Sequence, residues 1–255
     1  KQVPAGTKVD IDPETGAMKR LSGETRTNPY DLFALEAALQ LREKVGGSVT
    51  VLTMGPPQAE EMMRDAYTMG ADDAVILSDR KFAGADVLAT SYALSQGITA
   101  IGDIDLIICG KQTTDGDTAQ VGPQISEHLD IPVISYAQDI KVEGDSVIVQ
   151  RQYDDRYHVL KAKMPCVITA LSELNEPRYM TPGGIFDAYD AEITTWGRKD
   201  LKDVDDSNLG LAGSPTQIAK ASDKVRKGKG VMMTAETAEE GVEYIMDKLL
   251  TKHVI

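Results

Sequence analysis

The first half of the chain alternates short apolar runs with longer segments in which apolar residues recur every three or four positions. Short β-branched runs bounded by turn residues are typical of buried strands, and the longer period is typical of helices. The pattern predicts a first helix that begins at Asn28-Pro29, further helices over 56–68, 85–101 and 123–129, and strands over 48–53, 73–77 and 106–109. Strands and helices that alternate in this way form parallel sheets with right-handed crossovers.

After about residue 130 the pattern changes to longer extended stretches. Turn residues at 143–145 and 154–155 divide the segment 140–163, which predicts a β-hairpin, and an apolar strand follows at 165–171. The segment 174–185 is rich in Pro and Gly and predicts no regular element. The fold class indicated is α/β, a Rossmann-like parallel twisted sheet flanked by helices, with a β-hairpin segment added.

The end of the chain predicts a polar linker over 203–214 and an amphipathic helix over 235–251. We therefore expect an α/β domain over 1–200 and a C-terminal arm of linker plus helix over 201–255. The apolar stripe of a lone helix must be buried against something. A partner subunit and the chain's own core both remain open on the pattern alone.

The composition excludes several classes of function. The net charge is −13, whereas a nucleic-acid-binding surface is basic, so we expect no nucleic acid partner. An acidic chain is also repelled by an anionic membrane surface. No apolar run approaches the ~20 residues of a spanning helix, so we expect no membrane insertion.

Cysteine and histidine usage indicates the compartment and the absence of a metal site. Cys109 and Cys166 each lie in an apolar strand, where free buried thiols of a reducing compartment are typical, and we expect a cytoplasmic protein. The histidines are scattered without the spacing of a zinc or haem site. Residues 1–4 have the pattern of a strand end, so we expect a few apolar residues to precede Lys1.

One stretch has the pattern of a ligand site. Residues 110–122 read GKQTTDGDTAQVG and lie between the strand at 106–109 and the next helix. This arrangement aims free backbone N–H groups and the positive end of a helix dipole at one point, Gly116 allows close approach to the backbone, and Thr118 offers a hydroxyl. The P-loop pattern is absent. A well-capped ordinary helix uses the same residue types, so spacing alone leaves both interpretations open.

The acidic residues of this stretch do not suit a phosphate. Asp115 and Asp117 would repel one, so we expect them to face away, cap the helix or accept hydrogen bonds from ribose hydroxyls. No nucleophile–base or paired-carboxylate arrangement can be assembled from the rest of the chain. We therefore predict a binding pocket and no catalytic residue.

Several motifs, taken together, resemble the β subunit of electron transfer flavoproteins. They occur in the family's order at 1–4, 28–31, 34–38, 54–56, 69–72, 110–112, 115–122, 174–179 and 210–216. The Gly-Lys-Gln and Asn-Glu-Pro-Arg-Tyr blocks are the most specific of them. A nucleotide-binding regulatory domain of the universal-stress type is an alternative, but the β-rich segment and arm after residue 140 disfavour it.

The resemblance implies a heterodimer with an α subunit whose mobile domain holds FAD. The β subunit of the family binds an adenine nucleotide at the turn 110–122. In simple members the nucleotide is AMP, with a structural role. In electron-bifurcating members it is a second FAD, which takes a hydride from NADH and sends one electron to ferredoxin or flavodoxin and the other, through the α-subunit FAD, to a flavin dehydrogenase. No independent turnover is expected from the β chain alone.

Small side chains in the turn favour the bifurcating group. AMP-binding members carry bulkier polar residues where this chain has Gly116, Ala119 and Val121, and small residues leave room for a second phosphate and a ribityl chain. We therefore expect FAD, with AMP as the alternative. The resemblance places the cofactor contacts at Asn28, Asp31, Met54, Gly110, Gln112, Thr114, Asp115, Gly116, Asp117, Thr118, Ala119, Gln120 and Val121.

The resemblance also implies two partner surfaces. The arm is expected to pack on the α subunit, and docking to the dehydrogenase is expected at Tyr179, Met180, Thr181, Pro182, Gly183 and Ile185. AMP-binding members carry an apolar anchor followed by Pro where this chain has Pro182 and Gly183. We therefore expect a docking partner other than the usual acyl-CoA dehydrogenase.

Overall fold

A computed structural model describes residues 1–5, 10–11, 18–19, 24–216 and 228–255. Its helices are α1 (Pro29–Val45), α2 (Glu60–Met69), α3 (Val87–Ile101), α4 (Val121–Leu129), α5 (Pro182–Asp190) and α6 (Ala238–Thr251). Its strands are β1 (Gln2–Pro4), β2 (Asp10–Ile11), β3 (Met18–Lys19), β4 (Thr25–Thr27), β5 (Thr50–Met54), β6 (Asp73–Leu77), β7 (Leu106–Gly110), β8 (Val133–Glu143), β9 (Ser146–Gln152), β10 (Tyr157–Lys163), β11 (Cys166–Ala170) and β12 (Thr194–Trp196).

The parallel strands form two sheets. In the five-stranded sheet, of order β10-β9-β8-β11-β7, strand β11 runs parallel to both β7 and β8, while β8, β9 and β10 form an antiparallel meander. The three-stranded sheet, of order β12-β6-β5, is wholly parallel. Two short antiparallel pairs, β1 with β4 and β2 with β3, complete the described strands. The predicted α/β class is confirmed.

Strand β11 lies between β8 and β7 in the larger sheet, and every one of its residues is buried. A continuous buried apolar run is the pattern of a strand that is covered on both faces. Ile168 of β11 packs in one cluster with Val147 and Val149 of β9 and with Ala37 and Leu41 of α1. Helix α1 is thereby fixed on the sheet that also carries β7, so its N-terminus has a defined place relative to the end of that strand.

Two segments contain more regular secondary structure than the sequence pattern predicts. The extended segment after residue 130 forms three strands rather than one hairpin, because β8 begins before the predicted range. Helix α5 begins inside the stretch expected to be irregular. Pro182 occupies its first turn, where a missing N–H costs nothing, and the Thr181 hydroxyl accepts a hydrogen bond from the Gly184 N–H at 3.0 Å.

The segment 203–214 is not a free linker. Val204 and Leu209 are buried in one cluster with Leu77 and Phe82. The Ser214 hydroxyl, also buried, donates to the Gly210 carbonyl oxygen at 2.6 Å. Because most residues of the segment are polar, the sequence pattern did not predict these few apolar contacts.

The chain divides into two compact units, Lys1–Ala219 and Lys220–Ile255, so the division falls later than the predicted one after residue 200. In the second unit the Thr237 side chain caps α6 by accepting from the Glu240 N–H at 3.2 Å. Val242 and Ile245 of α6 are more than half exposed. Packing of the arm on an α subunit stays a prediction. Among the described residues, no helix has the length and apolar character needed to cross a bilayer.

Candidate nucleotide-binding site

Asn28, the residue before α1, ties the start of that helix to the turn after β7. Its side chain is fully buried. The Nδ2 atom donates to the Gln112 carbonyl oxygen at 2.9 Å, and Oδ1 accepts from the Thr114 N–H at 3.2 Å. Because both ends of the amide are used on the turn, Asn28 makes no side-chain cap on its own helix, which differs from the simple N-cap role that Asn-Pro suggests. Asp31 adds a third bond, since its Oδ1 accepts from the Gly110 N–H at 3.1 Å.

Two glycines allow the turn to lie close to its neighbours. A Cβ atom on Gly110 would lie 2.6 Å from Asp31 Oδ1, and one on Gly122 would lie 2.8 Å from the Sγ atom of Cys109. Real Cβ atoms do not approach other atoms so closely, so neither position accepts a side chain. Gly116 is different, because the nearest atom to its Cβ would be Thr113 Oγ1, at 3.4 Å. The absence of a side chain at Gly116 therefore leaves space for a ligand, and packing does not demand it.

Asp115 is engaged by a basic side chain. Lys1 Nζ lies 2.7 Å from Asp115 Oδ2, and the Gly116 N–H donates to Asp115 Oδ1 at 2.8 Å. Burial by itself would raise the pKa of Asp115, but the hydrogen bond and charge of Lys1 outweigh it, so the pKa is held below its ordinary value. The partial neutralisation of Asp115 reduces the repulsion that this carboxylate would exert on a phosphate.

Asp117 closes the turn on itself. Its carboxylate accepts from the Gln112 side chain, and its N–H donates to the Thr113 carbonyl oxygen at 2.9 Å. Asp117 and Ala119 both have φ in the left-handed region, at 55° and 54°. Asp tolerates this conformation better than most residues, whereas Ala at such a φ is strained. Strain of this kind is found where a loop must present its backbone to a ligand.

Helix α4 begins directly after the turn with its first donors free. Gln120 occupies the N-cap position without a side-chain cap, and the first helical bond runs from Gln124 to the Gln120 carbonyl oxygen at 3.0 Å. In the part of the chain that the structure describes, the N–H groups of Val121 and Gly122 have no acceptor. Free N–H groups at the positive end of a helix dipole favour an anion.

Most of the predicted cofactor contacts meet at this turn. Hydrogen bonds join Asn28, Asp31, Gly110, Gln112, Thr114, Asp115, Gly116 and Asp117, and Thr118, Ala119, Gln120 and Val121 lead straight into α4. Met54 is not joined to them. It ends β5 in the three-stranded sheet and packs against the cluster of Leu77 and Phe82.

Three residues near the turn were not among the predicted contacts. Thr113 accepts the Asp117 N–H, Lys1 pairs with Asp115, and the Lys111 ammonium lies 5.6 Å from the centroid of the Tyr30 ring. Thr113 and Lys111 lie inside the motif itself, so adjacency was the available signal. The Lys1–Asp115 pair spans 114 residues, and no local spacing reveals it.

The two cysteines are free thiols, as predicted. Cys109 lies near the end of β7, and its Sγ atom is close to Gly122. Burial, with a smaller contribution from Asp31, raises the pKa of Cys109 to about 12. The thiol is therefore protonated and unreactive at neutral pH.

The predicted docking residues lie at the start of α5. The side chain of Tyr179 is 94% exposed, Met180 and Ile185 are also exposed, and Thr181 caps the helix. The structure adds Phe186 and Tyr189, which are 77% and 81% exposed and share this surface of α5. Because the sequence pattern predicts an irregular segment here, it does not point to the later helical positions.

One known protein family matches most of this chain. The electron transfer flavoprotein domain matches residues 15–207 of the chain. The chain belongs to the electron transfer flavoprotein family.

Similar proteins identify it with the β subunits of that family. The chain is 47% identical over 256 residues to the caffeyl-CoA reductase-Etf complex subunit CarD of Acetobacterium woodii. It is 45% identical over 255 residues to the electron transfer flavoprotein subunit beta of Clostridium acetobutylicum, and 45% identical over 262 residues to the acryloyl-CoA reductase electron transfer subunit gamma of Anaerotignum propionicum. Each match covers 100% of this chain and 97% of the relative. An electron transfer flavoprotein β subunit implies an α-subunit partner.

Replacing Asn28 tests whether its amide holds the turn. We expect Asn28→Ala to lower the free energy of unfolding by about 1–3 kcal/mol, because it leaves the Gln112 carbonyl and the Thr114 N–H without their partner. Urea unfolding measures this loss. Asn208→Ala, at an exposed position, is the matched control and should change stability by less than about 0.5 kcal/mol. Equal effects of the two substitutions would contradict the role given to Asn28.

Proposed function

We propose that this electron transfer flavoprotein β subunit is of the electron-bifurcating type and holds FAD at the turn 110–122. The observation that carries the proposal is the open backbone at Gly116 beside the free N–H groups of Val121 and Gly122. When bound, FAD supplies the chemistry: it accepts a hydride from NADH and releases the electrons singly, one toward ferredoxin or flavodoxin and one toward the α-subunit FAD.

The residues of this chain bind and orient the cofactor. The N–H groups at the start of α4 receive a phosphate, and the exposed Thr118 hydroxyl lies beside them in sequence. The side chains of Asn28 and Asp31 hold the backbone of the turn by hydrogen bonds, so the donors are positioned before the cofactor binds. Preorganised donors lose little entropy on binding, which favours affinity.

Available space supports FAD over AMP. AMP has one phosphate and ends there, whereas FAD must continue from the first phosphate through a second one to the ribityl chain. Gly116 has no neighbouring atom closer than ordinary van der Waals contact, and Ala119 and Val121 are small. A β subunit with structural AMP, acting as a simple electron carrier without hydride chemistry, is the alternative.

The relatives support a class of electron-accepting partner. Two of them are named for the reduction of caffeyl-CoA and of acryloyl-CoA. We propose that the dehydrogenase served by this chain is a flavoprotein that reduces a CoA thioester, and that it docks on the exposed apolar side chains at the start of α5. Helix α6 packs on the α subunit. We place the complex in the cytoplasm, in keeping with the free thiols.

A bulky residue at Gly116 should expel the nucleotide. We expect Gly116→Gln, in the heterodimer with its α subunit, to lower β-site nucleotide occupancy at least tenfold, because the new side chain fills the space left for the ligand while the fold tolerates it. The nucleotide released by acid from the purified heterodimer is quantified by chromatography. Gly230→Gln is the control, because a Cβ atom at Gly230 would have no neighbouring atom within 4 Å. Undiminished occupancy in the Gly116 variant would refute the placement.

NADH distinguishes the two candidate functions. We expect the heterodimer to oxidise NADH and to reduce ferredoxin or flavodoxin together with the dehydrogenase, because only a second flavin can take the hydride and divide the electrons. Stopped-flow absorbance after NADH addition measures this reduction. A heterodimer that leaves NADH unchanged, but still carries electrons from a reduced dehydrogenase, would establish the alternative with AMP.

A further inference from the structure

The exposed apolar side chains around α5 lie between two arginine contacts, one at each end. We propose that Arg178 and Arg64 form a two-point clamp that fixes this docking face, residues 179–189, on helices α1 and α2. The clamp presents the face as a rigid platform at a set position relative to the nucleotide turn. This inference rests on the docking role proposed above.

The first contact is the ion pair of Arg178 with Glu36. Glu36 lies on α1 and is only 3% exposed. Arg178 Nε donates to Glu36 Oε2 at 2.8 Å, Nη2 donates to Oε1 at 3.1 Å, and the Arg178 backbone N–H donates to Oε2 at 3.1 Å. Its Nη1 also donates to Glu43 Oε1 at 2.6 Å. Two parallel bonds in a partly buried pair fix the orientation of the guanidinium relative to the carboxylate as well as their separation. A single ion pair on the surface does not fix this orientation.

Two further observations support the first contact. The Asn175 side chain donates to the Phe33 carbonyl oxygen of α1 at 2.9 Å, so the chain is held on both sides of Pro177. Burial alone would raise the pKa of Glu36, but the hydrogen bonds from Arg178 and Gln40 outweigh it and the pKa lies below its ordinary value. Glu36 is therefore ionised at neutral pH and needs its partner, because an unpaired buried carboxylate is costly.

The second contact closes the other end of α5. Arg64 of α2 donates through Nη1 to the carbonyl oxygens of Ala188 and Tyr189, at 2.8 and 3.0 Å. Glu60 holds the same guanidinium at 2.6 Å. The last carbonyl groups of a helix have no partner within it, and a cation placed there also interacts favourably with the helix dipole.

Helix α5 also lies directly on α2. A Cβ atom on Gly184 would lie 2.6 Å from the Thr68 carbonyl oxygen, so the two backbones meet without space for a side chain. Between these fixed ends, Tyr179, Phe186 and Tyr189 are each more than three-quarters exposed. Large aromatic side chains held on a fixed backbone lose little conformational entropy when a partner covers them.

Helix α1 connects the docking face with the nucleotide turn, because it contacts both. Glu36 lies about two turns after Asn28 and about one and a half turns after Asp31. The side chains of Asn28 and Asp31 hold the nucleotide turn. A partner seated on the face is therefore positioned against the same rigid element that orients the cofactor site. Position matters here because electron transfer between flavins depends on their separation.

Amide hydrogen exchange of the heterodimer tests the clamp directly. We expect Arg178→Gln, and separately Arg64→Gln, to accelerate exchange of residues 183–190 at least tenfold, while exchange of β11 reports whether global stability has changed. Arg178→Lys should give an intermediate effect, because lysine keeps the charge and loses the bidentate geometry. Arg156→Gln, which removes an exposed pair with the adjacent Asp155, is the matched control and should have no effect.

A kinetic measurement separates failure of the clamp from failure of the docking proposal. The probe is a flavin-containing CoA-thioester reductase of the class proposed above, reduced by the heterodimer. We expect Phe186→Ala and both clamp variants to raise the KM for this probe at least fivefold, with kcat within twofold and nucleotide content unchanged. Unaltered exchange and KM in both clamp variants, with a raised KM in Phe186→Ala, would overturn the clamp alone. An unaltered KM in Phe186→Ala would overturn the docking role instead.

Discussion

The amide of Asn28 makes the contact on which the rest of the site depends. It is fully buried and divides its two ends between Gln112 and Thr114, so the turn after β7 is held by a residue 84 positions earlier in the chain. Buried polar groups need partners, and removing one of them leaves the others unpaired. The turn is therefore held to the start of α1, and α1 is itself fixed by the packing of Ala37 and Leu41 on the five-stranded sheet.

Helix α1 serves two surfaces at once. Its first turn supports the turn at which we propose that the cofactor binds, and its second and fourth turns hold Arg178 through Glu36 and Glu43. The chemistry of a bound flavin is its own, whereas the protein contributes position and electrostatics. In this β subunit, position is supplied by one helix that contacts both surfaces.

The elements between residues 29 and 129 could be predicted because strand and helix periods alternate there with turn residues between them. Helix α5 could not, since its stability comes from a threonine cap and from contacts with α2 rather than from its own Pro-Gly-Gly start. The burial of Val204 and Leu209 was missed for a similar reason, because polar neighbours hid two isolated apolar residues.

The residues of the candidate site also differ in whether the sequence could predict them. Residues 110–121 follow one another in sequence, so a motif contains them, and Asn28 and Asp31 were reached through the family resemblance. Lys1 with Asp115 and Glu36 with Arg178 are pairs separated by 114 and 142 residues. Such pairs arise from the fold and have no local pattern. Met54, carried over with the others, lies in the second sheet away from the turn's hydrogen bonds.

The most direct test of the central claim is the flavin content of the heterodimer. Visible absorbance of the complex purified with its α subunit, combined with chromatography of the released nucleotides, counts FAD and AMP per heterodimer. The account predicts two FAD molecules and no AMP, because Gly116 leaves the backbone of the turn open and the neighbouring side chains of Ala119 and Val121 are small. One FAD with one AMP would contradict the claim and would make the turn a structural nucleotide site.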